Sequence, residues 1–124
     1  MAEIIDPPIP GRATAEWTVM YPDPVDVRAG ETVILGEEDQ EWPGWVWCTD
    51  ARGKSSWAPT QYVERGGGGG ATMRQDYVAR ELALAVGDEI LLHKLLNGWY
   101  WATNARGESG WVPASHVETA PSAE

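Results

Sequence analysis

The chain repeats itself, and that constrains its fold more than any other feature. Trp45-Val46-Trp47 returns as Trp99-Tyr100-Trp101, 54 positions later. At the same spacing Ala51-Arg52-Gly53 returns as Ala105-Arg106-Gly107, and Trp57-Ala58-Pro59 as Trp111-Val112-Pro113. Upstream, Gly30-Glu31-Thr32-Val33-Ile34-Leu35 matches Gly87-Asp88-Glu89-Ile90-Leu91-Leu92 at a spacing of 57, so the first copy holds three extra residues between Leu35 and Trp45. Loop insertions cost little closure entropy, so a duplicated unit tolerates one. Each copy is about 50 residues, near the lower limit for a domain that folds without staples.

Five consecutive glycines, 66–70, lie between the copies. Read as a flexible coil, such a run spans roughly 12 Å. The expected division is a Pro-containing arm (1–12), a first unit (13–65), a glycine linker (66–70), a second unit (71–119) and a disordered tail (120–124). Short strands are expected at 32–35, 45–49 and 56–58, and again at 89–92, 99–103 and 110–112. These segments are rich in β-branched and aromatic residues and bounded by turn signals. Asp50-Ala51-Arg52-Gly53 and Asn104-Ala105-Arg106-Gly107 read as hairpin turns. No stretch holds a helical period over ten residues. The fold class is therefore all-β, as two small closed or nearly closed barrels.

Charge narrows the partners. With 19 acidic residues against 9 basic ones, the net of −10 repels phosphate backbones and anionic membranes, so neither nucleic acid nor membrane is expected. Residues 13–65 carry −6 and residues 66–124 carry −3, which makes the first copy the stronger trap for a cation. The start has no basic n-region or long apolar stretch, and one cysteine forms no internal disulfide, so a cytoplasmic protein is expected. The aromatic set is 8 Trp, 4 Tyr and no Phe. Trp and Tyr join an apolar body to a polar tip and are favoured where surfaces meet partners.

Several chemistries lack their parts. Cys48 is expected on a core face, where a thiol is inert, so a Cys–His nucleophile with His93 or His116 is not expected. One Cys and two separated His give no metal-ligand spacing. The glycine run lacks the Lys-Ser/Thr ending of a phosphate loop. No enzyme activity and no cofactor are expected.

Glu81-Leu82-Ala83-Leu84-Ala85-Val86-Gly87-Asp88 resembles the strand and diverging turn of an SH3 domain. Asn97-Gly98-Trp99-Tyr100-Trp101-Ala102 and Gly110-Trp111-Val112-Pro113-Ala114-Ser115-His116-Val117 resemble its paired-aromatic strand, Gly-aromatic-apolar-Pro strand and closing one-turn helix. The first copy repeats the pattern, and Tyr21-Pro22-Asp23-Pro24-Val25 with Glu41-Trp42-Pro43-Gly44-Trp45 is similar to the bacterial tandem variant. The resemblance implies a non-catalytic module that binds Pro-rich or extended, basic peptides in an aromatic-lined groove. Carried over, the groove residues are Trp45, Pro59, Gln61 and Tyr62 in the first copy and Trp99, Pro113, Ser115 and His116 in the second. Trp42, Glu38, Asp39 and Tyr77 complete the set.

Strand alternation agrees. It puts Val46 and Cys48 on the core face and Trp45 and Trp47 on the other, and likewise Tyr100 and Ala102 inside with Trp99 and Trp101 outside, so these indoles are expected to face water. They serve either as a ligand groove or as a seal between the copies. The acidic loop Glu37-Glu38-Asp39-Gln40-Glu41 is close in sequence to Trp45 and suits a ligand's Arg or Lys. Pro7-Pro8-Ile9-Pro10-Gly11-Arg12 has the form of a basic polyproline ligand, which suggests self-association. A structural subunit of a larger assembly is the other reading.

Overall fold

A computed structural model describes residues 3–21 and 23–119. Among the described residues the strands are β1 (Glu3–Ala13), β2 (Asp26–Val27), β3 (Thr32–Glu38), β4 (Trp45–Thr49), β5 (Ser55–Pro59), β6 (Val63–Arg65), β7 (Gly70–Met73), β8 (Tyr77–Val78), β9 (Glu89–Leu96), β10 (Trp99–Asn104), β11 (Ser109–Pro113) and β12 (Val117–Thr119). Single 3-10 turns at Thr60–Tyr62 and Ala114–His116 are the only helical elements among the described residues. The protein is all-β. The expected strands, hairpin turns and closing one-turn helices all form.

The chain divides into two compact units, but not where the glycines suggested. One is Met1–Met20 with Glu81–Glu124, and the other is Tyr21–Arg80. We call them the split unit and the inserted unit. The inserted unit has the sheet order β5-β4-β3-β7-β6, and the split unit has β11-β10-β9-β1-β12. The two orders are the same order. In each, the strand from the start of one sequence copy lies between strands of the other copy.

Backbone hydrogen bonds show how closely the two arrangements correspond. Ala13 N–H donates to the Asp88 carbonyl and Gly87 N–H to the Ala13 carbonyl. In the inserted unit Met73 N–H donates to Glu31 and Gly30 N–H to Met73. Thr14 N–H reaches the His116 carbonyl just as Arg74 N–H reaches that of Tyr62. The opening strands of the two copies have therefore changed places. Ala13 (1% exposed) and Met73 (2%) fill matching core positions, and burying a side chain as large as Met73 is worth about 1.5–3 kcal/mol.

The glycine run is a hairpin turn. Gly66 N–H donates to the Gly70 carbonyl (2.8 Å) and Leu35 N–H to that of Gly69 (2.8 Å), and β6 pairs with β7 directly. Gly68 and Gly69 have φ of 68° and 84°, in the left-handed region where glycine is at no disadvantage. A flexible linker and a tight turn call for the same residue, so composition alone did not separate them.

Residues 3–12 are likewise not a free arm. β1 pairs with both β9 and β12, and residues 9–12 run in register with 89–92. Pro7 and Pro8 sit at an irregularity of that ladder between Ile4 and Ile9, where their missing N–H groups are tolerated, while Pro10 is in register opposite Leu91. A segment engaged in a ladder is not lying across a groove as a polyproline ligand. The tail at 120–124 lies outside the described residues. Divided as the structure divides it, the charge is −6 on the split unit and −4 on the inserted unit, so the expected excess on the Trp45 side disappears.

In the core of the split unit Ala13, Leu82, Leu84, Ile90, Leu92, Ala102 and Val112 pack together. Alternation fills the inserted unit the same way, with Val33, Val46, Cys48, Ala58 and Met73 at or below 2% exposure. The Cys48 thiol is pushed up to about 11, by burial first and the Asp50 charge second. It is packing, as expected.

The turn before β5 rests on Asp50, whose Oδ1 accepts from the Arg52 (2.9 Å) and Lys54 (3.0 Å) backbone N–H groups. Asn104 makes the matching pair to Arg106 and Glu108, both at 3.0 Å. Burial pushes the Asp50 carboxyl up. Bonds from the Arg52 side chain and from the Lys54 and Arg52 backbone more than offset it, leaving the pKa below the ordinary value.

Two outcomes follow from this architecture. Deleting residues 1–13 removes the strand between β9 and β12, so the indole resonances of Trp99, Trp101 and Trp111 should collapse while those of Trp47 and Trp57 persist. Were residues 1–12 a mere arm, both sets would remain. Asp50→Ala should cost about 1–2 kcal/mol by denaturant unfolding, and Asp50→Asn much less, because an amide oxygen serves Asn104. The wild-type Asp50 contribution should be present above the ordinary Asp pKa and fade as pH falls through its lowered one.

Candidate functional site

The groove residues inferred for the two copies come from three places in each unit: the head of the central strand, the end of the strand paired with it, and the one-turn helix that follows. In the inserted unit Trp45 opens β4 opposite Pro59, which closes β5. Thr60 N–H donates to the Gly44 carbonyl (2.8 Å), which locks the turn against that corner. Tyr62 stacks edge-on against Tyr77 at 5.7 Å, and the Tyr77 hydroxyl donates to the Trp57 carbonyl (2.6 Å). In the split unit Trp99 opens β10 opposite Pro113, and Ser115 and His116 lie in the matching turn.

Tyr77 therefore belongs with Trp45, Pro59 and Tyr62. It comes from the second copy but stands in the unit that holds the first copy's groove residues. Its counterpart in the split unit is Trp17, which the sequence reading did not pick out. Trp17 packs edge-on against Trp99 at 5.2 Å and against His116 at 5.5 Å. The signal was present: Ala13 and Trp17 repeat as Met73 and Tyr77, with the same four-residue step.

One expectation is overturned. Trp45 and Trp99 were to face water, yet they are only 4% and 9% exposed. Tyr62 and Tyr77 are each 5% exposed, and Pro59 and Pro113 are below 2%. Alternation fixes the face from which a side chain leaves the strand. It does not say what else lies on that face. At the split unit's corner, Trp17 is part of what lies there. Gln61 and Ser115 are exposed and His116 is half-buried, so these polar residues form the accessible rim.

The other indole of each strand is more open. Trp47 and Trp57 stand opposite each other on β4 and β5, half-buried, with centroids 5.1 Å apart. Trp101 and Trp111 repeat the pair on β10 and β11 at 5.3 Å. A cleft of about 420 Å³ beside the first pair is lined by Glu37, Glu38, Asp39, Gln40, Trp47 and Trp57. The acidic loop thus borders the Trp47 and Trp57 rings, and Asp39 N–H also donates to the Trp45 carbonyl (2.8 Å). Trp42 is half-buried, and its N–H lies 3.4 Å from Asp39 Oδ1.

Electrostatics mark one further group. Glu81 Oε1 accepts from Trp17 Nε1 at 2.8 Å. Burial pushes its carboxyl above the ordinary Glu value, and the bonds from Trp17 and the Met20 backbone pull back only in part. A carboxyl whose pKa is raised on folding contributes stability below its ordinary pKa and loses it as pH climbs through the raised one. Glu81→Gln keeps an acceptor for Trp17 and removes the ionisation. Its melting temperature should fall less than that of the wild type between acid pH and neutrality, as followed by Trp fluorescence.

Among the described residues no group of three or more His, Cys, Asp or Glu is placed to hold a metal. Neither the curated proteins nor the solved structures gave a match to the chain. The family model for the variant SH3 domain matches residues 74–120. That segment crosses the boundary between the units, with 74–80 in the inserted one and the rest in the split one. The match follows the order of the chain, whereas the sheets follow the exchanged strands. The match supports an SH3 family for residues 74–120.

Proposed function

We propose that the chain is a non-catalytic protein-interaction module that holds a Pro-rich or extended, basic segment of a partner at its two aromatic corners. An SH3-type segment suits a protein-interaction module in general. One observation supports the finer reading: the same corner is built twice, as Trp45, Pro59, Tyr62 and Tyr77, and as Trp99, Pro113, His116 and Trp17. Cores do not need this. A core position asks for apolar bulk, and here two indoles and two prolines recur beside a turn whose outer residues, Gln61 and Ser115, are polar and exposed.

The low exposure of Trp45 and Trp99 favours a second reading, a structural or accessory subunit whose tryptophans are packed and whose partner is a folded surface. In the first reading the ligand is held by the polar rim and the edges of the rings. In the second, free peptides do nothing.

Trp45→Ala does not separate them, because emptying a buried site of that size costs about 3–5 kcal/mol in stability alone. Rim substitutions do. Titrating the intact protein with a basic Pro-rich peptide should shift the amides of Gln61, Tyr62, Ser115 and His116. Gln61→Ala with Ser115→Ala should weaken binding several-fold and leave the melting temperature unchanged. If the peptide moves no amide at either corner while the protein co-purifies stoichiometrically with a folded partner, the subunit reading replaces the peptide one.

A further inference from the structure

The two Trp pairs on β4–β5 and β10–β11 share their cross-strand placement, but Trp111 is only 4% exposed where Trp57 is half-buried, and different groups stand beside them. In the split unit the Lys94 ammonium lies over the Trp111 ring, 5.7 Å from its centroid. A cation at that distance is attracted by the negative face of the indole. The structural counterpart of Lys94 follows from strand register. Leu92 pairs with Ala102 and Leu95 with Tyr100, just as Leu35 pairs with Cys48 and Glu38 with Val46. Each ladder has an irregularity at the same place, opposite Trp101 in one unit and Trp47 in the other. Glu37 therefore occupies the position of Lys94.

The same ring pair has an internal cation in one unit and a carboxylate in the other. Glu37 is exposed and has no ion-pair partner among the described residues. The neighbouring strand position explains how the cleft stays open. Where the split unit has His93, bonded to Thr103 at 2.8 Å, the inserted unit has Gly36, and even a Cβ there would come within 3.2 Å of Trp47 Cδ1. Trp47 settles against the bare backbone, and Tyr21 packs its edge at 5.5 Å. The acids beyond it line the cleft with the two rings.

We infer that the Trp47–Trp57 cleft of the inserted unit binds a lysine ammonium presented by a partner chain, in the place that Lys94 fills internally in the split unit. The rings supply the cation–π face and Glu37 the counter-charge. Asp39 is committed to its own loop, where Oδ1 accepts from Glu41 N–H at 2.9 Å. Glu38 is shared with Arg65 at 3.4 Å, an exposed pair that an incoming cation can displace at little cost. This site is separate from the aromatic corners and does not depend on them.

The test uses the full chain and a proline-free peptide, Ac-Gly-Lys-Lys-Lys-Gly-NH2, titrated at low salt while the indole N–H resonances are followed. Saturable shifts are expected at Trp47 and Trp57, not at Trp101 and Trp111, and the norleucine counterpart should produce none. Glu37→Lys should supply the missing ammonium internally and weaken peptide binding at least tenfold, with Glu37→Gln intermediate. Lys94→Glu should make Trp101 and Trp111 responsive. Equal binding by the Glu37→Lys protein, equal binding of the norleucine peptide, or shifts confined to the acidic-loop amides without the indoles would each overturn the inference. The Gln61 and Ser115 substitutions should leave this titration unchanged, so its failure and that of the corner reading are distinguishable.

Discussion

Everything else in the structure rests on two short ladders: Ala13 against Gly87 and Asp88, and Met73 against Gly30 and Glu31. Each closes a five-stranded sheet with a strand from the other sequence copy. The two ladders use the same bonds and bury equivalent side chains. Pairing energy alone therefore does not choose between keeping a copy's own opening strand and exchanging it. The connection chooses. With the 66–70 run folded as a hairpin, β7 returns beside β6 after a minimal loop, and short closures cost less entropy than long ones. Once β7 has taken that slot, β1 is left to fill the vacancy between β9 and β12.

The exchange carries the aromatic residues with it. Tyr77 goes to the corner of Trp45 and Tyr62, and Trp17 to the corner of Trp99 and His116. The family match over 74–120 shows the same thing from the sequence side, since it runs across a boundary that the contacts place at Arg80 and Glu81. Both corners remain alike in construction while neither is made from a single copy. On the outer faces of the sheets the copies have diverged instead, with Lys94 and His93 in one and Glu37 and Gly36 in the other. A duplicated protein that keeps one surface and changes another is in a position to use them for different contacts.

Much of this was written locally. The strands, the Asp50 and Asn104 turns and the 3-10 turns depend on patterns within a few residues, and these were readable. The inward set Val46, Cys48, Tyr100 and Ala102 followed from a period of two, and of these only Tyr100 is less than fully buried. The exposure of Trp45 was misjudged because face and coverage are separate quantities. Trp17 was missed because its meaning lies in a match to Tyr77 some 60 positions away, blurred by small differences between the two segments. The cleft that the acidic loop forms with Trp47 and Trp57 was not foreseen, because closeness in sequence to Trp45 does not say which rings a loop borders.

The sequence by itself determined the repeat, the all-β class, the strand and turn positions, and the faces from which side chains leave. Tertiary structure alone decided which opening strand closes which sheet, that five glycines turn rather than link, and that Trp45 and Trp99 are covered while Trp47 and Trp57 border a cleft. The reason is that local preferences act on a few adjacent residues, whereas strand partnership between near-identical copies is degenerate. That degeneracy is broken only by loop closure and by what each sheet face meets when the chain is compact.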